Sequence, residues 1–114
     1  MSGQAWVKEF PAAVTVSDAE GRIIEMNGRS IETFAADGGA KLLGTSVLDC
    51  HPEPSRTKLA GMMKDRRTNV YTIQKNGKKK LIYQAPWYED GVYAGFVELS
   101  FEIPWDLPHF NRDL

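Results

Sequence analysis

The sequence predicts an α+β fold, an antiparallel sheet with helices gathered on one of its faces. Three observations carry that expectation. Apolar and polar residues alternate near both ends of the chain, which is the period of a strand. The stretches "QKNGKK" and "YEDGVY" place Asn76-Gly77 and Asp90-Gly91 between alternating runs, the strongest short signal for a hairpin. The middle of the chain has helical spacing instead, so strands and helices are segregated along the sequence.

The elements follow in order. "GQAWVKEF" puts Trp6, Val7 and Phe10 at helical spacing, so residues 1–10 read as a short amphipathic helix or arm ahead of Pro11. "AAVTVSD" alternates, with Val14 and Val16 on one face and Thr15 and Ser17 on the other. "DAEG" is a turn and "RIIEMN" a second strand, which makes a hairpin. Asn27 suits a helix N-cap because its side-chain oxygen accepts from a free amide of the first turn. "GRSIETFAA" follows with Ile31 and Phe34 on one face. Residues 36–49 are broken by Gly38, Gly39 and Gly44 and hold only short helical turns. The longer helix starts at Pro52 or Ser55 and runs to about Arg67, with Leu59, Met62 and Met63 sharing a face. Three strands close the domain. Pro104 and Pro108 keep the tail, 105–114, out of a central strand.

The bulk numbers exclude several classes. A chain of 114 residues with 42% hydrophobic and 25% charged residues fits one folded domain. Its net charge of −1 creates no global field for nucleic acid or an anionic membrane. Lys78-Lys79-Lys80 reads first as a solvated hairpin tip, with a phosphate contact as the alternative. One cysteine makes no internal disulfide, and no apolar leader opens the sequence, so a reducing cytoplasm is expected. No segment approaches the roughly 20 apolar residues of a membrane helix. No nucleophile–base pair, phosphate loop or carboxylate pair suggests an enzyme.

The order of elements resembles that of a PAS domain, over residues 11–104. The likeness rests on "VSDAEGRIIEMN" closing on Asn27, the short-helix region ending in "LLGTSV", and "HPE" ahead of the long helix. Pro86 in the fourth strand and "SFEIP" at the end of the fifth complete it. Many such domains end in Asp-Ile-Thr, where this chain has Glu102-Ile103-Pro104, which puts the usual coupling to a following signalling helix in doubt. The resemblance implies a PAS-like (profilin-like) five-stranded antiparallel sheet in the order 2-1-5-4-3. It also implies sensing: a bound small molecule, cofactor or partner, and a homodimer.

"LDCHPEPS", residues 48–55, raises cofactor chemistry. Zinc needs about four ligands, and only Cys50, His51 and the distant His109 are at hand. Haem-binding relatives carry their axial histidine inside the long helix, where "KLAGMMK" has none. Photoactive flavin relatives carry their cysteine in an Asn-Cys-Arg-type stretch, whereas Cys50 stands between Asp49 and His51. Haem and flavin are therefore disfavoured and any cofactor stays unknown. The stretch reads as a loop-to-helix hinge. Asp49 and Ser55 are available caps, Glu53 lies near the helix dipole, and Cys50 is a small apolar group at the core margin. His51 adds an ionisable imidazole there.

Strand parity separates two faces. One collects Thr15, Ser17, Thr72, Gln74, Gln84, Glu98 and Ser100. The other collects Val14, Val16, Tyr71, Ile73, Leu81, Tyr83, Val97, Leu99 and Phe101. Periodicity alone permits the apolar face to be the core. The resemblance implies the reverse, since ligand-facing positions of flavin-binding relatives match Thr72, Ile82, Gln84 and Ser100. On that reading Thr15, Thr72, Gln84, Glu98 and Ser100 bind a small polar ligand against an apolar wall of Met26, Phe34, Leu48, Met62 and Met63. The outer face, with Tyr83, Leu99 and Phe101, then needs cover from Trp6, Val7 and Phe10 or from a second subunit. Two functions stay open: a ligand-binding sensor that signals through dimer geometry, and a ligand-free interaction module.

Overall fold

The computed structural model describes residues 5–113, apart from the side chain of Cys50. The expected place of Cys50 at the core margin therefore lies outside the described residues. A short helix α1 (Ala5–Lys8) leads into strands β1 (Ala13–Asp18) and β2 (Ile23–Met26). Helix α2 (Gly28–Thr33) and three single turns (Ala35–Asp37, Gly39–Leu42 and Val47–Cys50) follow. Helix α3 (Ser55–Asp65) then leads to β3 (Asn69–Lys75), β4 (Lys78–Glu89) and β5 (Val92–Ile103). The five strands form one antiparallel sheet in the order β2-β1-β5-β4-β3, as expected.

Asn27 explains why α2 starts where it does. Its Oδ1 accepts from the Ser30 amide at 3.0 Å and from the Val14 amide at 2.9 Å. Its Nδ2 donates to the carbonyls of Ala12 at 2.8 Å and Val7 at 2.9 Å. One buried side chain thus caps α2, closes the start of β1 and holds the end of α1. Along the free edge of β2, Gly44 donates to Ile23, Ile23 to Thr45 and Val47 to Gly21, so a loop covers the strand's unpaired groups.

Helix α3 begins at Ser55, at the later of its two expected starts, since Pro54 disfavours helical angles at Glu53. Its cap differs from both candidates. Neither Asp49 nor Ser55 supplies it; Glu53 accepts from the Thr57 hydroxyl at 2.7 Å and the Thr57 amide at 3.1 Å. Those bonds hold the Glu53 carboxyl below its ordinary range. The helix ends at Asp65, before Arg67, because Arg66 takes a left-handed conformation and closes on the Met62 carbonyl.

The register settles which face lies inside. Gln84 pairs with Glu98, Ile82 with Ser100 and Pro86 with Phe96, and Gln84, Ile82, Ser100 and Phe96 are all buried. The helices therefore cover the polar set, and Leu59 and Met62 of α3 pack on Phe96 with Val47, Leu48 and Met63 around them. The apolar set faces outward: Tyr83 is exposed, and Leu81, Val97, Leu99 and Phe101 are half-buried.

Strand β3 corrects the parity assignment. Lys75 pairs with Lys78 across a two-residue turn, which sets Thr72 opposite Leu81 and Tyr71 opposite Ile82. Thr72 and Gln74 thus lie on the outer face, and Tyr71 and Ile73 on the inner one. The error was a one-residue slip, because a two-residue hairpin places odd-numbered residues of one strand opposite even-numbered ones of the other. Between β4 and β5 a bulge at Trp87/Tyr88 removes that alternation, so Gln84 and Glu98 do share a face.

Candidate functional site

A single cross-strand row builds the site. Thr15 of β1 lies opposite Glu98 of β5, Glu98 opposite Gln84 of β4, and Gln84 opposite Asn69 of β3. Gln84 Nε2 donates to Glu98 Oε1 at 2.7 Å, and Asn69 Nδ2 donates to Gln84 Oε1 at 3.2 Å. Thr15 and Ser30 join their hydroxyls at 2.5 Å. A carboxylate only accepts, so Glu98 fixes which end of the Gln84 amide faces it. The second oxygen of Glu98 has no partner among the described residues and is free for a donor.

A cavity of about 40 Å³ lies against this row. Thr15, Ser17, Gln84 and Glu98 form its polar floor, and Met26, Phe34, Leu42, Val47 and Leu59 its apolar roof. A single water occupies roughly 10–15 Å³ on this measure, so the space holds about three water-sized groups. Gln84, Leu59 and His51 are also the wall between this cavity and an outer recess of about 210 Å³, lined further by Ser55, Lys58, Met62, Asn69 and Tyr71.

His51 takes a defined orientation in that wall. Its Nδ1 lies 2.8 Å from the Val47 carbonyl, which accepts, so Nδ1 carries the hydrogen and Nε2 is left for a ligand or water. Burial and the Glu98 charge both push the Tyr71 phenol above its ordinary value, burial being the larger cause.

The expected residues separate into four groups. Thr15, Gln84, Glu98, Met26 and Phe34 line the cavity. Met62 lines the recess, while Leu48 and Met63 pack into the core behind it. Ser100 opens into a different basin beside α2. Thr72 is on the wrong face to contribute. Ser17, His51 and Asn69 join the site without having been expected there. Ser17 already sat on the polar face by parity, and hairpin arithmetic from Asn76-Gly77 places Asn69 opposite Gln84. His51 had no such signal, because its position depends on the turn Val47–Cys50. Of the expected interface residues, Trp6 and Phe10 are exposed and stack edge to face at 5.3 Å, and Val7 is half-buried.

No family model matches the chain, and no curated protein matches it. Solved structures do. The PAS domain of BvgS from Bordetella pertussis superposes with a TM-score of 0.65, at 17% identity over 88% of this chain and 82% of that one. A sensory box sensor histidine kinase from Vibrio cholerae gives 0.61, at 14% identity over 85% of each chain. A PAS domain from Colwellia psychrerythraea gives 0.57, at 18% identity over 86% of this chain and 91% of that one. With the strand order 2-1-5-4-3, these likenesses define the class: the chain has the PAS fold. Identities this low carry the fold, and function has to be read from the site.

Proposed function

We propose that this domain is a cytoplasmic, non-catalytic sensory module that binds a small polar ligand beneath its helices and reports it through the geometry of a homodimer. The observation that carries the reading is the Gln84–Glu98 pair, held at 2.7 Å beside a cavity with one carboxylate oxygen unpartnered among the described residues. Glu98 favours a ligand that brings a donor, an amine or amide, and the Gln84 amide supplies both a donor and an acceptor. The PAS domains of sensor kinases among the similar structures support a signalling role. Among the described residues no helix is long and apolar enough to cross a membrane. Native mass spectrometry of the purified chain against a panel of small amines and amides tests the reading. A bound mass that Gln84→Leu removes supports it, and binding that Gln84→Leu leaves intact overturns it.

One observation favours a second reading. The cavity is small, about 40 Å³, against the roughly 300 Å³ or more of ordinary ligand pockets. A ligand-free module acting through its apolar outer face fits that volume. If no member of the panel binds, and the domain still self-associates, this second reading is the correct one.

A further inference from the structure

On the same face of the sheet, two more rows follow the one that builds the site. Ala13, Ser100 and Ile82 make one, and Glu102, Lys80 and Ile73 the next. Ala13 and Ser100 of the first row, Lys80 and Glu102 of the second, and the side of α2 line an open basin of about 480 Å³. It shares no lining residue with the cavity beneath α3. The lysine run of the hairpin is split by strand parity. Lys79 points to the outer face, near the Trp105 ring, while Lys78 and Lys80 point into the basin.

Charge and burial both mark this basin. Arg29, Lys75, Lys78 and Lys80 line it against Glu32 and Glu102, a local excess of two positive charges in a chain whose net charge is −1. Glu102 is already engaged by Lys78 at 3.7 Å. On the floor, Ser100 is 8% exposed, and its hydroxyl has no hydrogen-bond partner among the described residues. That hydroxyl is therefore available to a group that enters the basin, as donor or as acceptor.

We propose that this basin binds a small phosphate-bearing molecule. A phosphate group offers several acceptor oxygens at once, which suits a hydroxyl on the floor, ammonium groups around it and the planar fork of Arg29 at the wall. Its volume lies within the range of small-molecule sites. The site is independent of the Gln84–Glu98 row, so the domain carries two distinct ligand positions.

The test is titration of the full chain with inorganic phosphate and with glycerol phosphate, followed by amide NMR, with chloride and citrate at matched ionic strength. Saturable shifts at Ser100 and Lys80 with the phosphates and none with chloride are expected. Ser100→Ala should weaken that binding several-fold with an unchanged melting temperature, since its hydroxyl bonds none of the described residues. Lys78→Gln with Lys80→Gln should weaken it tenfold or more, whereas Lys41→Gln, which removes a charge elsewhere, should not. Shifts that chloride reproduces, tighter binding of citrate than of either phosphate, or equal loss with Lys41→Gln would each overturn the proposal.

Discussion

Gln84 donates its side-chain amide to the Glu98 carboxylate at 2.7 Å across the β4–β5 pair, and this bond polarises the whole inner row. With its nitrogen committed to Glu98, the Gln84 oxygen turns to Asn69. The hydrogen bonds therefore run in one direction, from Asn69 through Gln84 to Glu98, and end on a carboxylate whose second oxygen has no partner among the described residues. On the proposed function, this carboxylate is the acceptor that the ligand's donor meets.

Gln84→Leu keeps the volume and removes both bonds. We expect binding of a polar ligand to fall tenfold or more, equivalent to about 1.4 kcal/mol. Stability should fall by about 1–2 kcal/mol, because Asn69 and Glu98 lose a partner but both reach solvent. Titration calorimetry and urea unfolding of the same variant separate the two effects. A variant that unfolds but binds normally when folded would remove Gln84 from the site.

Tyr71 reports on the same carboxylate. Its phenol sits above its ordinary value through burial first and the Glu98 charge second. A raised folded-state value favours the protonated phenol in the native state. The associated stability is therefore present below the unfolded value near 10 and lost as pH rises through the folded value. Phenolate absorbance, taken as the difference between the chain and its Tyr71→Phe variant, should titrate above the free phenol. Glu98→Gln should move that titration down part of the way. No movement would place Glu98 too far from Tyr71 to matter.

Asn27 is the structural counterpart of Gln84, a buried amide whose donors and acceptor are all used. Asn27→Ala removes a helix cap and leaves the Val14 amide and the Ala12 carbonyl without their partner. The expected loss is about 2–4 kcal/mol by denaturant unfolding. Asn27→Asp should recover the acceptor bonds to Val14 and Ser30 but not the donor bonds to Ala12 and Val7, and fall in between. Wild-type stability of Asn27→Asp would deny the donor side any role, and equal stability of the two variants would deny the acceptor side one.

The strand order and most elements were legible because alternation, turn dipeptides and the Asn27 cap are local signals. The face of β3 was equally local, since Asn76-Gly77 fixes Lys75 opposite Lys78, yet parity was carried straight through the turn and put Thr72 inside. The shared face of Gln84 and Glu98 depends on an extra residue in β5, and no pattern of hydrophobicity marks a bulge. His51 stands in a stretch whose sequence reads as a hinge, and no local pattern marks it as a wall of the cavity, because its ring is oriented by a carbonyl four residues earlier in a single turn. The apolar outer face looked like a core for a plain reason: alternation shows that two faces differ, and not which one the helices choose.

That outer face predicts the oligomeric state. Tyr83, Leu99 and Phe101 lie in adjacent rows with Leu81 and Val97, and Tyr83 is 39% exposed. Trp6 at 61% and Phe10 at 44% add exposed aromatic area on α1 and the residues after it. A dimer burying these surfaces should show twice the chain mass in light scattering. Tyr83→Lys with Leu99→Lys should return it to the monomer mass while circular dichroism stays unchanged, and Trp6→Glu with Phe10→Glu should weaken it at least tenfold. A monomer before mutation would end the dimer reading.

Gly95 connects the fold to the site, and its replacement is the most demanding prediction. Its φ of 149° belongs to a region that residues with a side chain rarely adopt. A Cβ built there would lie 1.9 Å from the Ser17 carbonyl oxygen, far inside any contact distance. The same carbonyl accepts from the Trp87 indole at 2.9 Å, and Trp87 is the residue paired with Gly95. The close approach of β5 to β1 at this point lies beside the bulge that brings Glu98 onto the face of Gln84. Gly95→Ala must push the Ser17 carbonyl aside or undo the bulge. The expected loss is about 3–5 kcal/mol, with a shift in tryptophan emission as the Trp87 bond breaks. If the strand slips by one residue to relieve the clash, Glu98 turns to the outer face and polar-ligand binding disappears with it. An alanine variant of near-native stability, with Trp87 emission unchanged, would show that β1 and β5 do not meet this closely and that the register placing Glu98 inside is wrong.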